Sequence, residues 1–142
     1  MMRICGVELT GNDAVVCLLE LAQQQFTLPD CRVRKISLPK MHSRDDLQKF
    51  QATFAKLMQD YQVDKVVIRE RLTKGKFAGG AVSFKLEAAL QLMNDIAVEL
   101  YSSAAIKQTL ADKPLPIPFS ETGLKGFQEQ AFVVAYVAHM QD

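Results

Sequence analysis

Apolar and polar positions alternate with a period of two over Ile4-Cys-Gly-Val-Glu8-Leu9, which predicts a β-strand with Ile4, Gly6 and Glu8 on one face and Cys5, Val7 and Leu9 on the other. Thr10-Gly-Asn-Asp13 then supplies turn chemistry, Gly11 and Asn12 tolerating positive φ, and the apolar run Ala14 to Leu21 returns antiparallel. Gln23 to Pro29 is a polar interruption. Cys31 to Leu38 alternates again and predicts a third strand, with Arg32 and Arg34 on its solvent face and Pro39 ending it.

Beyond Pro39 the period changes. Leu47, Phe50, Phe54, Leu57, Met58 and Tyr61 recur at three- and four-residue spacing, which predicts an amphipathic helix with Ser43 as N-cap and Asp45 and Asp46 in its first turn. Val63 to Glu70, centred on Val66-Val-Ile68, reads as a buried parallel strand reached by the helical crossover. Thr73 to Gly80 is a Gly-rich basic loop, and it feeds a helix from about Ala81 to Asp95 carrying Val82, Leu86, Ala89, Leu90 and Met93 on one face. Ala97 to Tyr101 makes a fifth strand and Ser103 to Ala111 a short helix. Pro114, Pro116 and Pro118 mark an extended connector, and Gly126 to Met140 is a helix apolar on several sides. Three antiparallel strands followed by parallel crossovers give an α/β fold: a mixed five-stranded sheet with helices on both faces, in a single domain spanning residues 1–142.

A chain of 142 residues with 49% hydrophobic content can bury a full core. Its formal charge of +1 gives no overall drive toward nucleic acid, so any electrostatic binding must come from a local patch. No apolar run approaches the ~20 residues that span a bilayer, and Met1-Met-Arg-Ile4 lacks a signal-peptide layout, so a cytoplasmic protein without membrane contact is expected. Cys5, Cys17 and Cys31 form no CxxC pair and are odd in number, which fits a reducing compartment and small buried hydrophobes in strands. With His42 and His139 as the only histidines, a structural zinc site is not expected.

Burying a carboxylate without a partner is costly, so Glu8 is expected at a sheet end beside water, a cation or a basic side chain. Glu70, between Arg69 and Arg71, serves either a site or a plain salt-bridge cluster, and Glu129 serves either a site or the dipole of a helix start. Lys74, Lys76, Lys85 and Lys107 are candidates for phosphate-backbone contacts, against the ordinary reading of solvated lysines. The glycines match neither a Walker nor a dinucleotide signature. His42 and His139 read as structural or exposed, and Asp13 as a turn residue.

This order of elements is similar to that of the ribonuclease-H-like superfamily, and several stretches resemble its RuvC-type Holliday-junction resolvase branch. Ile4-Cys-Gly-Val-Glu8 looks like that family's first strand, which ends Gly-Ile-Asp, with Glu in place of Asp. Val66-Val-Ile-Arg-Glu70 looks like its fourth strand, whose acid follows the Ile directly; here Arg69 takes that slot and the acid comes one residue later. Tyr101-Ser-Ser-Ala-Ala-Ile-Lys-Gln-Thr-Leu110 is similar to the family's segment of Tyr, a few residues, then Val-Lys-Gln-Thr-Val. Ala131 to His139 resembles its last helix, which carries one or two Asp where this chain offers Gln128, Glu129 and Gln130. The loop from Arg69 to Gly80 would be the hallmark of a small bacterial family within the superfamily.

The resemblance implies a metal-dependent nuclease acting on branched or otherwise structured nucleic acid. Two-metal hydrolysis needs carboxylates converging on two ions roughly 3.5 to 4 Å apart. Glu8, Glu70 and Glu129 would then be the catalytic and metal-binding set, with Mg²⁺ or Mn²⁺ as the ion. Because the acidic set is altered at every position, a second expectation stands beside the first: a catalytically degenerate ribonuclease-H-like domain that binds nucleic acid or protein. A homodimer using the apolar helix after Gly79 is a third.

Overall fold

The computed structural model describes residues 1–39, 43–71 and 80–141. β1 (Met2–Thr10) and β2 (Asp13–Ala22) pair antiparallel from Met2 opposite Leu21 to Thr10 opposite Asp13. In the turn between them only Gly11 takes a positive φ, 58°, so the left-handed residue is the first central one, as in a type II′ hairpin.

The expected polar interruption is a hairpin. Gln23 and Gln24 both take positive φ, 51° and 65°, and lead into β3 (Gln25–Thr27), which pairs with the far end of β2. The expected strand Cys31 to Leu38 is reduced to β4 (Lys35–Ser37), which pairs with Asp13 to Val15. β3 and β4 divide one edge of β2 between them, so the sheet has six strands rather than five. A three-residue strand is too short to show alternation, which is why β3 carried no signal. Cys31 consequently lies outside any strand, half-buried, whereas Cys5 and Cys17 are buried in β1 and β2. Burial pushes the Cys5 thiol well above its ordinary range and Cys17 up to about 12, leaving both unreactive near neutral pH.

The remaining elements follow the predicted order. α1 (Arg44–Asp60) starts at Ser43, whose Oγ accepts from the Asp46 N–H while the Asp46 carboxylate accepts from the Ser43 N–H. β5 (Lys65–Arg69) lies parallel to β1, and α2 (Ala81–Gln91) connects it to β6 (Ala97–Tyr101), which lies parallel to β5. α2 ends before the predicted Asp95, which takes φ 67° in the turn into β6. α3 (Ser103–Asp112) and α4 (Glu129–His139) complete the chain. The sheet order is β3-β2-β1-β5-β6.

The alternation of β1 is realised as two cores. Cys5, Val7 and Leu9 pack with α1 and α2; Ile4 packs on the opposite face with α4, whose residues Ala131 to Ala138 are all buried. α4 lies directly on β1. A Cβ built on Gly6 would overlap the Ala131 carbonyl oxygen and lie 2.8 Å from Ala135 Cβ, so only glycine admits the helix at this depth. Two side chains tie the helix to β2. Gln128, buried, donates through Nε2 to the Val16 carbonyl at 3.0 Å, and His139 Nε2 lies 2.8 Å from the Leu19 carbonyl oxygen. Val16 is opposite Val7 and Leu19 opposite Ile4, so α4 runs antiparallel to β1 and starts at the end where Glu8 stands. Among the described residues no helix is long and apolar enough to cross a membrane.

Candidate functional site

Glu8 is two residues beyond Gly6 on the α4 face, one position past the last paired residues of β1 and β5, Val7 and Ile68. Arg69 is two residues beyond Val67, which packs in the α4-side core, so its side chain emerges beside that of Glu8. Arg69 Nη1 lies 3.9 Å from Glu8 Oε2, with the two side chains 33% and 21% exposed. The expected basic neighbour of Glu8 is therefore present. Tyr101 is paired with Arg69 across β5 and β6, so Glu8, Arg69 and Tyr101 form a row over the ends of three adjacent parallel strands.

Burial pushes the Glu8 carboxyl above the usual range, outweighing the opposing pull of Arg69 and then Arg71. At 3.9 Å the Arg69 contact is an ion pair without a hydrogen bond, so it opposes the loss of water only in part. Tyr101 donates to Glu99 Oε2 at 3.1 Å, and Glu99 is also paired with Lys65 Nζ at 2.9 Å. Burial, then this hydrogen bond, raises the Tyr101 hydroxyl to about 12.

The other candidates are dispersed. Glu70 is exposed, and its N–H donates to the Tyr101 carbonyl at 2.9 Å, continuing the β5 ladder; alternation then directs its side chain to the face opposite Glu8. Glu129, the first residue of α4, is exposed at the Glu8 end of the sheet. Lys85 on α2 and Lys107 on α3 are exposed, while Lys74 and Lys76 lie outside the described residues, as does His42. Among the described residues no three His, Cys, Asp or Glu side chains are grouped to hold a metal ion. The donor chemistry agrees with that geometry: a guanidinium stands beside Glu8 where a two-metal centre needs a second carboxylate, so these residues do not fit the pair of ions.

Two residues here gave little warning in sequence. Arg71, after the strand, has its Nε buried with no hydrogen-bond partner among the described residues; the alternation Arg69-Glu70-Arg71 was its only signal. Gln128 binds both the Val16 carbonyl and, through Oε1, the Lys125 N–H at 3.0 Å, and its register on β2 is a tertiary fact.

A mixed sheet of order β3-β2-β1-β5-β6 with helices packed on both faces is a ribonuclease-H-like fold. Thermus thermophilus RuvC in complex with a Holliday junction substrate superposes with a TM-score of 0.72 at 12% identity, covering 99% of this chain and 94% of that one. A Fowlpox virus resolvase bound to Holliday junction DNA gives 0.56 at 12% identity, covering 99% of this chain and 100% of that one. The yeast mitochondrial Holliday junction resolvase gives 0.56 at 9% identity, covering 98% and 79%. At these identities the likeness is one of fold. No curated protein sequence matches the chain. Residues 2–138 match the family model described as a protein of unknown function, DUF3010, and the chain belongs to that family.

Proposed function

We propose that this chain is a nucleic-acid-binding ribonuclease-H-like domain whose working end is the rim around Glu8, and that it holds its ligand there without two-metal hydrolysis. The observation that carries this reading is the placement of Arg69 beside Glu8. An arginine there repels divalent cations and attracts phosphate. Support for nucleic acid as the ligand comes from the fold shared with proteins solved on Holliday junctions, and from Lys107 exposed on α3, the helix that follows β6.

The second reading is a Mg²⁺- or Mn²⁺-dependent nuclease using Glu8, Glu70 and Glu129. One observation favours it: α4 begins at the Glu8 end of the sheet, which brings Glu129 to the same rim.

Binding of labelled branched, duplex and single-stranded DNA and RNA, measured over a range of salt with Mn²⁺ or with chelator, separates the two. The binding reading expects metal-independent affinity that falls with salt by about 0.9 log units per log unit for each phosphate neutralised on duplex DNA. Cleavage that requires Mn²⁺ and disappears in Glu8→Gln would establish the nuclease instead. Absence of binding to every probe at low salt would remove both.

A further inference from the structure

Resting on the nucleic-acid reading above, we propose that Arg69 and Arg71 form a cradle for one phosphoryl group at the end of β5, with the Arg71 Nε–H as the donor that fixes it. The Arg71 Nε is buried and has no hydrogen-bond partner among the described residues, a condition that native proteins avoid and that points to a missing acceptor. The main chain at Arg71 is tied down independently, its N–H donating to Glu87 Oε2 on α2 at 3.4 Å. Arg69 is similarly unspent, because its 3.9 Å approach to Glu8 is too long for a hydrogen bond.

The donors around this point select the ligand class. Both arginines pull the Glu8 carboxyl toward its charged form, Glu87 on α2 lies against the main chain of Arg71, and Glu70 is directed to the other face. Two guanidinium groups thus stand with two carboxylates, and an incoming anion is drawn by the unfilled N–H donors rather than by net charge. A carboxylate held bidentate by one guanidinium fork has only its remaining lone pairs for a second, whereas a phosphoryl group offers further oxygens in other directions and suits two forks at once. Free phosphate and a nucleic-acid phosphate share that chemistry.

The test uses the full chain with ¹⁵N-labelled arginine. The Arg71 Nε–Hε resonance is assigned by its loss in Arg71→Lys, then followed during titration with inorganic phosphate and with oligonucleotides carrying or lacking a terminal phosphate. The expected result is a saturable shift with inorganic phosphate, and phosphate binding about tenfold weaker in Arg71→Lys, which keeps the charge but not the fork. Arg69→Lys, a change at a more exposed side chain, should weaken it in the same direction and serves if Arg71→Lys does not fold. A resonance unmoved while oligonucleotide saturates the protein would overturn the cradle and leave the nucleic-acid reading standing. A shift with inorganic phosphate from a protein that binds no oligonucleotide would do the reverse. Lysine variants that bind phosphate like the parent would also overturn it.

Discussion

Arg69 Nη1 stands 3.9 Å from Glu8 Oε2, at the ends of two adjacent parallel strands whose register puts both side chains on the α4 face. This pair sets the chemistry of the rim, because a carboxylate already facing a guanidinium is a poor ligand for a divalent ion. Arg69→Asp should therefore create metal affinity that the parent lacks. Calorimetry with Mn²⁺ is expected to show saturable heat in the variant and none in the parent; equal heat in both would count against the assigned role of Arg69.

Gly6→Ala should be among the most damaging single changes. The added methyl meets the Ala131 carbonyl, which belongs to helix backbone and cannot rotate away. A loss of about 1–3 kcal/mol or more is expected from overpacking of this kind, read as a lower denaturant midpoint. A midpoint equal to the parent's would mean that α4 does not lie this close to β1.

Gln128→Leu tests the tie between α4 and β2. The substitution keeps the volume and leaves the Val16 carbonyl and the Lys125 N–H without their partner. A destabilisation of about 1–3 kcal/mol is expected for a buried polar group left unpaired. If chemical denaturation found the variant as stable as the parent, water would be replacing the amide.

His139 predicts the pH dependence of stability. Burial lowers its pKa from 6.5, opposed by the hydrogen bond to Leu19 and assisted by the charge of Lys65. The unfolded chain therefore takes up this proton near pH 6.5 and the folded chain only at lower pH. The contribution to stability is full above that value and is lost as pH falls through the folded pKa. His139→Gln retains an amide donor for the Leu19 carbonyl and should flatten the acid side of the stability profile. A profile with unchanged slope between neutral and mildly acidic pH would show that another group titrates.

Local pattern alone was sufficient for β1, α1, β5, β6 and the buried α4, because each buries a face or stripe long enough for its period to show. The alternation placing Glu8 on the opposite face from Cys5 and Val7, and the Ser43 cap, were legible for the same reason. β3 and β4 were not: three-residue strands owe their existence to the free edge of β2, which is a property of the assembled sheet. The rim around Glu8 belongs with them. Whether Arg69 or Glu70 shares a face with Glu8 depends on the parallel register of β5 on β1, where a shift of one residue exchanges a cation for an anion. Sequence thus determined which residues could meet at this end of the sheet, and strand register, together with the depth to which Gly6 admits α4, decided which of them do.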